Sequence, residues 1–181
     1  MGDVGNMFKT SYLPAVSALC LAISSAPATA QDIVSMDFLP GWEMSAGVTM
    51  GGLRIRLEPG WKTYWRSPGD AGIPPQFMWD GSENIRAVRI HWPTPDVFDT
   101  AGFRTIGYTD EVVLPVEIFA KDPSKPVEVN GAAYLGVCQD ICVPANVNFS
   151  TSAEPGGESA IRAALDSRPQ RVSGTSVTCA A

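Results

Sequence analysis

Residues 133–150, AYLGVCQDICVPANVNFS, contain two apolar alternations joined by a short polar segment. The apolar positions recur at every second residue: Ala133, Leu135 and Val137 before the segment, and Val143, Ala145, Val147 and Phe149 after it. A period of two is typical of β-strands with one buried face. This stretch therefore predicts a hairpin of two strands, with Cys138 and Cys142 at its closed end.

The rest of the chain has the same character. Turn pairs such as Pro59-Gly60, Asp80-Gly81 and Asn130-Gly131 separate short apolar runs, and strands are predicted over 47–57, 84–92, 111–119, 127–137 and 143–150. No long segment of helical period interrupts these runs, so a parallel α/β sheet is not expected. The pattern predicts an all-β sandwich, followed by a short helix over 159–165 and a loose tail over 171–181.

The composition excludes two classes of partner. The chain has 181 residues, a formal net charge of −6 and a pI of about 4.7. Nucleic acid and anionic lipid each require a basic face, which this charge balance does not provide. Hydrophobic residues make up 45% of the sequence, which is enough to bury a core without disulfides.

The first thirty residues have the features of a signal peptide. Lys9 precedes the apolar run 13–23, and Ala28-Thr29-Ala30 is a small-x-small cleavage pattern. The alternative is an uncleaved anchor, but the run is shorter than the ~20 residues that a membrane span needs. We therefore predict a cleaved signal peptide over 1–30 and no stable membrane insertion afterwards. The sandwich is then expected over 31–153 and the helix and tail over 154–181, in an oxidising compartment.

Cys138 and Cys142 are the pair that carries chemistry. Disulfide closure needs Cα atoms about 4.4–6.8 Å apart, so the chain must turn between the two cysteines. In both predicted strands the cysteine lies on the face opposite the apolar set, so both sulfurs are expected on the open face. A structural staple is the alternative, but the chain-entropy model gives so short a loop only ~2 kcal/mol.

The charges near this pair in the sequence do not favour a thiolate. Asp140 lies between the two cysteines, and the nearest cations in sequence are Lys125 and Arg162. A neighbouring carboxylate disfavours thiolate formation. We therefore expect the oxidised pair to be the resting electrophile, which a partner's thiolate opens.

Three segments resemble a known family. Residues 134–149 (YLGVCQDICVPANVNF), 59–75 (PGWKTYWRSPGDAGIPP) and 105–115 (TIGYTDEVVLP) are similar to the periplasmic amino-terminal domain of the thiol–disulfide interchange reductase DsbD. The similarity runs over residues 33–151 and looks closest to the variants in suppressor-of-copper-sensitivity proteins. It implies an immunoglobulin-like sandwich in the periplasm that acts as a thiol–disulfide oxidoreductase.

The resemblance also implies roles for individual residues. Cys138 and Cys142 fall on the family's active cysteines, and Tyr64 falls where the family has an aromatic residue near the site. An aromatic cap loop matches residues 96–107, with Phe98 or Phe103 as the cap. Thioredoxin-fold proteins are the implied partners, with a separate membrane electron donor because no further domain follows Ala181, and no bound cofactor is implied. The family's best-known members have a longer spacing between their cysteines.

Two functions other than thiol–disulfide exchange would also use this cysteine pair. Cu(I) favours thiolate and thioether ligands, so a copper-binding or copper-tolerance role would use the cysteines with methionines, whereas an interaction module would keep an inert disulfide. The remaining residues are given structural interpretations: His91 as a strand-end residue, Asp110-Glu111 as a turn, five tryptophans as core packing, and Cys179 as a tail residue. The methionines are Met44, Met50 and Met78, and the tryptophans are Trp42, Trp61, Trp65, Trp79 and Trp92.

Overall fold

A computed structural model describes residues 1–2, 33–100, 102–153 and 157–169. These residues form ten β-strands and a C-terminal helix. The strands are β1 (Val34–Ser45), β2 (Val48–Leu57), β3 (Lys62–Gly69), β4 (Gln76–Met78), β5 (Ile85–Ile90), β6 (Asp96–Thr100), β7 (Phe103–Thr109), β8 (Glu111–Ala120), β9 (Asn130–Cys138) and β10 (Cys142–Ser150), and the helix is α1 (Gly157–Asp166).

The strands form two antiparallel sheets. One sheet has the order β1-β2-β8-β5, and the other has the order β10-β9-β3-β7-β6, with β4 paired to β9. The main core is formed by buried side chains of both sheets, including Leu53, Leu114, Leu135 and Val137, each fully buried. Apolar residues at every second position of β9 and β10 therefore face the core, as their alternation predicts.

Two short connections, β2 to β3 and β7 to β8, lead from one sheet to the other. Between β2 and β3, the Trp61 amide donates to the Glu58 carbonyl at 3.0 Å, and Gly60 has a φ of 84°. Proline followed by a residue of positive φ is the pattern of a type II turn, so Pro59-Gly60 suits this position. Asp110, with a φ of 57°, forms the bend between β7 and β8, whereas Glu111 is the first residue of β8, so the predicted turn is present at Asp110 but does not include Glu111.

Helix α1 packs on the outer face of the four-stranded sheet. Ile161 is fully buried there in a second cluster with Leu39, Met50 and Val113. A Cβ atom on Gly52 would lie 2.9 Å from the side chain of Ile161, so a glycine at this position allows the close approach. The predicted helix over 159–165 is therefore present and is longer by two residues at its start and one at its end.

The immunoglobulin-like all-β sandwich with a short C-terminal helix is confirmed. Five strands were not predicted: β1, β3, β4, β6 and β7. The β1 pairing is irregular between Pro40 and Trp42, which interrupts its alternation. The predicted tail, Cys179 and all of the predicted signal peptide except Met1 and Gly2 lie outside the described residues. In the described part of the chain, no helix is long and apolar enough to cross a membrane.

Candidate active site

The closed end of the β9–β10 hairpin positions the two cysteines. Cys138 and Cys142 are direct partners in the antiparallel ladder, and a disulfide joins them. Their Cα atoms are 4.1 Å apart, and residues 139–141 make the connection. Within it, the Gln139 amide donates to the Ile141 carbonyl at 3.1 Å. The predicted three-residue hairpin is confirmed, and the strands themselves hold the two sulfur-bearing residues opposite each other.

The two cysteines differ in exposure. Cys138 is 1% exposed, whereas Cys142 is an exposed residue, as are the three loop residues between them. The expectation that both sulfurs lie on an open face is therefore wrong for Cys138. Both cysteines do lie opposite the core face, but Tyr64 covers Cys138 on that side. A reagent or partner in solution therefore meets the sulfur of Cys142 first.

Tyr64, on β3, contacts both sulfurs. Its hydroxyl oxygen lies 2.9 Å from Sγ of Cys138 and 3.4 Å from Sγ of Cys142. Because disulfide sulfurs carry no hydrogen, the hydroxyl is the donor. Burial raises the pKa of Tyr64 above its ordinary value, so the hydroxyl keeps its proton at neutral pH. The side chain is therefore a hydrogen-bond donor held against the buried sulfur.

Two glycines and a neighbouring loop enclose the Tyr64 ring. A Cβ atom on Gly72 would lie 2.7 Å from the ring, and one on Gly136 would lie 3.2 Å from it and 2.8 Å from Ile73. The Thr63 hydroxyl donates to the Gly136 carbonyl at 3.0 Å, which fixes β3 beside β9. Residues 72–73 thus belong to the surroundings of the site. Their composition carries no chemical signal, so sequence reasoning did not identify them.

Lys62 is a further site residue that sequence reasoning missed. It is the direct ladder partner of Cys138 on the adjacent strand β3, so both side chains are on the same face of the sheet. In the sequence the nearest cations to the cysteines are Lys125 and Arg162, and the absence of a local cation was expected to disfavour a thiolate. That expectation is wrong for Cys138, because strand pairing brings Lys62 next to it. Asp140, the predicted acidic neighbour, is an exposed residue of the connection.

The two candidate cap residues lie on the β6–β7 hairpin. The register from Cys138 through Lys62, Tyr64 and Gly107 to β6 puts Phe98 on the same outer face as the disulfide. Phe98 is half-buried, and the Lys62 ammonium lies 4.9 Å from the centre of its ring. Phe103 is 55% exposed at the start of β7. Phe98 is therefore the better candidate for the cap, because it contacts Lys62, the ladder partner of Cys138.

The candidate copper ligands are not gathered at the cysteines. Met50 is buried with Leu39 and Ile161 on the other sheet, and Met44 is at the exposed end of β1. Met78 pairs with Ala132, six residues before Cys138 on β9. Among the described residues, no group of three or more His, Cys, Asp or Glu side chains is arranged to hold a metal ion.

The other candidates have structural surroundings. His91 follows β5, where its Nε2 lies 2.7 Å from Glu117 and its Nδ1 lies 3.2 Å from Arg168. All five tryptophans are half-buried against hydrophobic clusters: Trp61, Trp65, Trp79 and Trp92 against the main core, and Trp42 against the cluster under α1. None of these residues contacts the disulfide in the described part of the chain, so the site consists of the cysteine pair, Tyr64 and their neighbours.

Comparison with known proteins identifies the family. Residues 35–154 match the family described as thiol:disulfide interchange protein DsbD, N-terminal. The chain therefore belongs to the family of DsbD amino-terminal domains, and the disulfide at its hairpin fits thiol–disulfide exchange. The curated proteins contain no match to it.

Two solved structures are similar to the chain. The N-terminal periplasmic domain of ScsB from Proteus mirabilis is 30% identical, with a TM-score of 0.57 over 75% of this chain. The chain spans only about half of that structure, 53%. The reduced N-terminal domain of DsbD from Neisseria meningitidis is 12% identical, with a TM-score of 0.41 over 71% of this chain and 91% of that one.

Proposed function

We propose that this protein is a periplasmic thiol–disulfide exchange domain that relays reducing equivalents through Cys138 and Cys142 to or from thioredoxin-fold partners. One observation carries the proposal: the exposed residue Cys142 is bonded to the buried Cys138, whose sulfur accepts a hydrogen bond from Tyr64. An exchange disulfide needs one sulfur that can be attacked and one that leaves as a stabilised thiolate. In this hairpin Cys142 is the cysteine open to attack, and Cys138 is the cysteine that leaves as a thiolate stabilised by Tyr64.

Loading the domain with electrons begins at Cys142. A donor thiolate attacks Sγ of Cys142, a bond forms between the donor sulfur and Cys142, and the Cys138–Cys142 bond breaks. The electron pair of the broken bond goes to Sγ of Cys138, which leaves as a thiolate. The Tyr64 hydroxyl then donates to an anion instead of a neutral sulfur, and such charge-assisted hydrogen bonds are about twice as strong. The donor's second thiolate then attacks the donor sulfur of the mixed disulfide, which forms a disulfide in the donor and releases Cys142 as a thiolate.

Discharge runs in the opposite direction. The Cys142 thiolate attacks the disulfide of an acceptor, and one acceptor sulfur leaves as a thiolate. The Cys138 thiolate then attacks Sγ of Cys142, which restores the Cys138–Cys142 bond and releases the second acceptor sulfur. Two electrons pass to the acceptor in each cycle, and the domain needs no cofactor of its own.

Several finer features belong to the same proposal. Phe98 is the cap residue that shields the disulfide from unspecific thiols, since it lies on the disulfide face and contacts Lys62. Residues 1–30 direct export and are removed, and the sandwich extends over 31–153. Export is supported by the similarity to the N-terminal domain of ScsB, which is periplasmic.

The reduction potential of the Cys138–Cys142 pair tests the proposal. The protein is equilibrated in graded thiol buffers, and free thiols are counted by mass after alkylation. Exchange pairs have potentials between about −120 and −270 mV, whereas structural disulfides usually lie below about −300 mV. A value in the upper range supports the relay. A value below −300 mV would assign the disulfide to an inert interaction module, and a pair that never oxidises would favour copper binding.

A further inference from the structure

We propose that Lys62 is the counter-ion of Cys138, so that its ammonium group stabilises the Cys138 thiolate formed when the disulfide opens. The inference rests on the proposed exchange function and extends it to a residue that has no part in the family's cysteine motif. Lys62 acts through its charge on the leaving sulfur, whereas Tyr64 acts through its hydrogen bond.

The position of Lys62 is set by strand pairing. It lies directly opposite Cys138 on the antiparallel strand β3. Cβ atoms of such pairs are about 4.5–5.5 Å apart and their side chains share a face of the sheet. The flexible four-carbon stem of a lysine has a reach similar to this separation, so its ammonium group can reach the facing sulfur. Only a change of side-chain rotamer is needed.

Within the described part of the chain, the ammonium group of Lys62 has no anionic partner in the disulfide state. Lys62 is half-buried, and no carboxylate among the described residues forms an ion pair with it. Its ammonium lies instead 4.9 Å from the centre of the Phe98 ring. Cation–π contacts at partly exposed sites are weak compared with a close ion pair. An anion formed at Cys138 therefore competes well for this group.

The other titratable groups around Cys138 do not provide this charge. Tyr64 is neutral and acts as a donor, because burial raises its pKa. Asp140 in the connection and Asp96 on β6 are exposed carboxylates, so they carry negative charge. Lys62 is thus the cation that strand pairing brings beside the leaving sulfur, and nearby negative charge makes its contribution more important.

A titration of the reduced full chain tests this role without any exchange partner. Cysteine labelled with ¹³C at Cβ reports the ionisation of each thiol by NMR, and single Cys→Ser variants assign the signals. Lys62→Met keeps an unbranched chain of similar length and removes the charge, while Lys62→Arg keeps the charge. We expect Lys62→Met to raise the pKa of the Cys138 thiol and to lower its thiolate fraction at neutral pH about tenfold. Lys62→Arg is expected to restore most of that fraction.

Lys121→Met is the matched control, because it removes the same charge from an exposed position just after β8. It should leave both thiol titrations unchanged. Lys62→Gln replaces Lys62→Met if the latter does not fold. An unchanged Cys138 titration in Lys62→Met, or an arginine variant as affected as the methionine variant, would overturn the assignment. A wild-type potential below −300 mV would instead reject the exchange function, and that result is independent of the titration.

Discussion

The hydroxyl oxygen of Tyr64 lies 2.9 Å from Sγ of Cys138, the buried sulfur of the disulfide. The contact joins residues 74 positions apart in the sequence. It gives the two halves of the disulfide different environments, since Cys142 is exposed and only 3.4 Å from the same hydroxyl. The predictions below follow from this asymmetry and from the packing around it.

Tyr64→Phe should slow opening of the disulfide. The substitution keeps the ring between Gly72 and Gly136 but removes the donor to the Cys138 thiolate. Hydrogen bonds to charged groups contribute about 1.5–3 kcal/mol, so we expect reduction by dithiothreitol at pH 7 to slow about tenfold or more. Tyr134→Phe on β9 is the control and should react like the parent. Equal rates for Tyr64→Phe and the parent would remove the hydroxyl from the mechanism.

Cys138→Ser and Cys142→Ser should behave differently towards disulfide reagents. In a Cys20→Ser, Cys179→Ser background, Cys138→Ser leaves the exposed thiol and should accumulate a mixed disulfide with glutathione. Cys142→Ser leaves the buried thiol, and we expect it to react at least tenfold more slowly because access governs exchange. Intact mass measured against time separates the two. A faster reaction at Cys138 would reverse the order of attack proposed above.

Ile161→Ala should destabilise the protein without changing its redox chemistry. Ile161 is fully buried between α1 and the outer face of the four-stranded sheet, and truncation of such a residue typically costs about 2–5 kcal/mol. Ile141→Ala is the matched control, because Ile141 is 69% exposed and the same truncation there should have little effect on stability. Urea unfolding measures both variants. A shifted potential in Ile161→Ala would show that the helix acts on the distant disulfide.

Stability should fall as the pH rises above about 10, the ordinary pKa of tyrosine. Burial raises the pKa of Tyr108 well above that value, although Arg66 partly opposes the shift. The unfolded chain therefore releases this proton at a pH where the folded chain keeps it, which favours unfolding. The stabilisation is complete below pH 10 and is lost above it. Tyr108→Phe should flatten this decline in urea midpoints between pH 8 and 11, despite losing the bond to the Pro93 carbonyl.

The part of the site that could be predicted from the sequence is the part formed by neighbours in sequence. The hairpin needs only the period-two alternation on either side of Cys138 and Cys142, and its register follows from a three-residue connection. Strand β1 was missed for the opposite reason, because Pro40 and an irregular pairing interrupt its alternation. Local pattern therefore predicts an element well where that element is regular.

The environment of Cys138 could not be predicted in this way. Its burial depends on Tyr64, and Lys62 is its ladder partner; both are on β3, which five strands separate from β9 in the sequence. Distance along the chain gave Lys125 and Arg162 as the nearest cations, but strand pairing puts Lys62 next to Cys138. The resemblance to the family pointed to Tyr64 as an aromatic neighbour, whereas its hydrogen bond to the sulfurs is evident only from the structure.

The direct pairing of Cys138 with Cys142 in the ladder has a consequence for the lifetime of any covalent complex. When a partner is bound through Cys142, the backbone hydrogen bonds of the hairpin still hold Cys138 beside it. The Cys138 thiolate then has a high effective concentration at the bond it must attack. Re-formation of the Cys138–Cys142 bond and release of the partner should therefore be fast. Covalent complexes with a partner should persist only where Cys138 is absent.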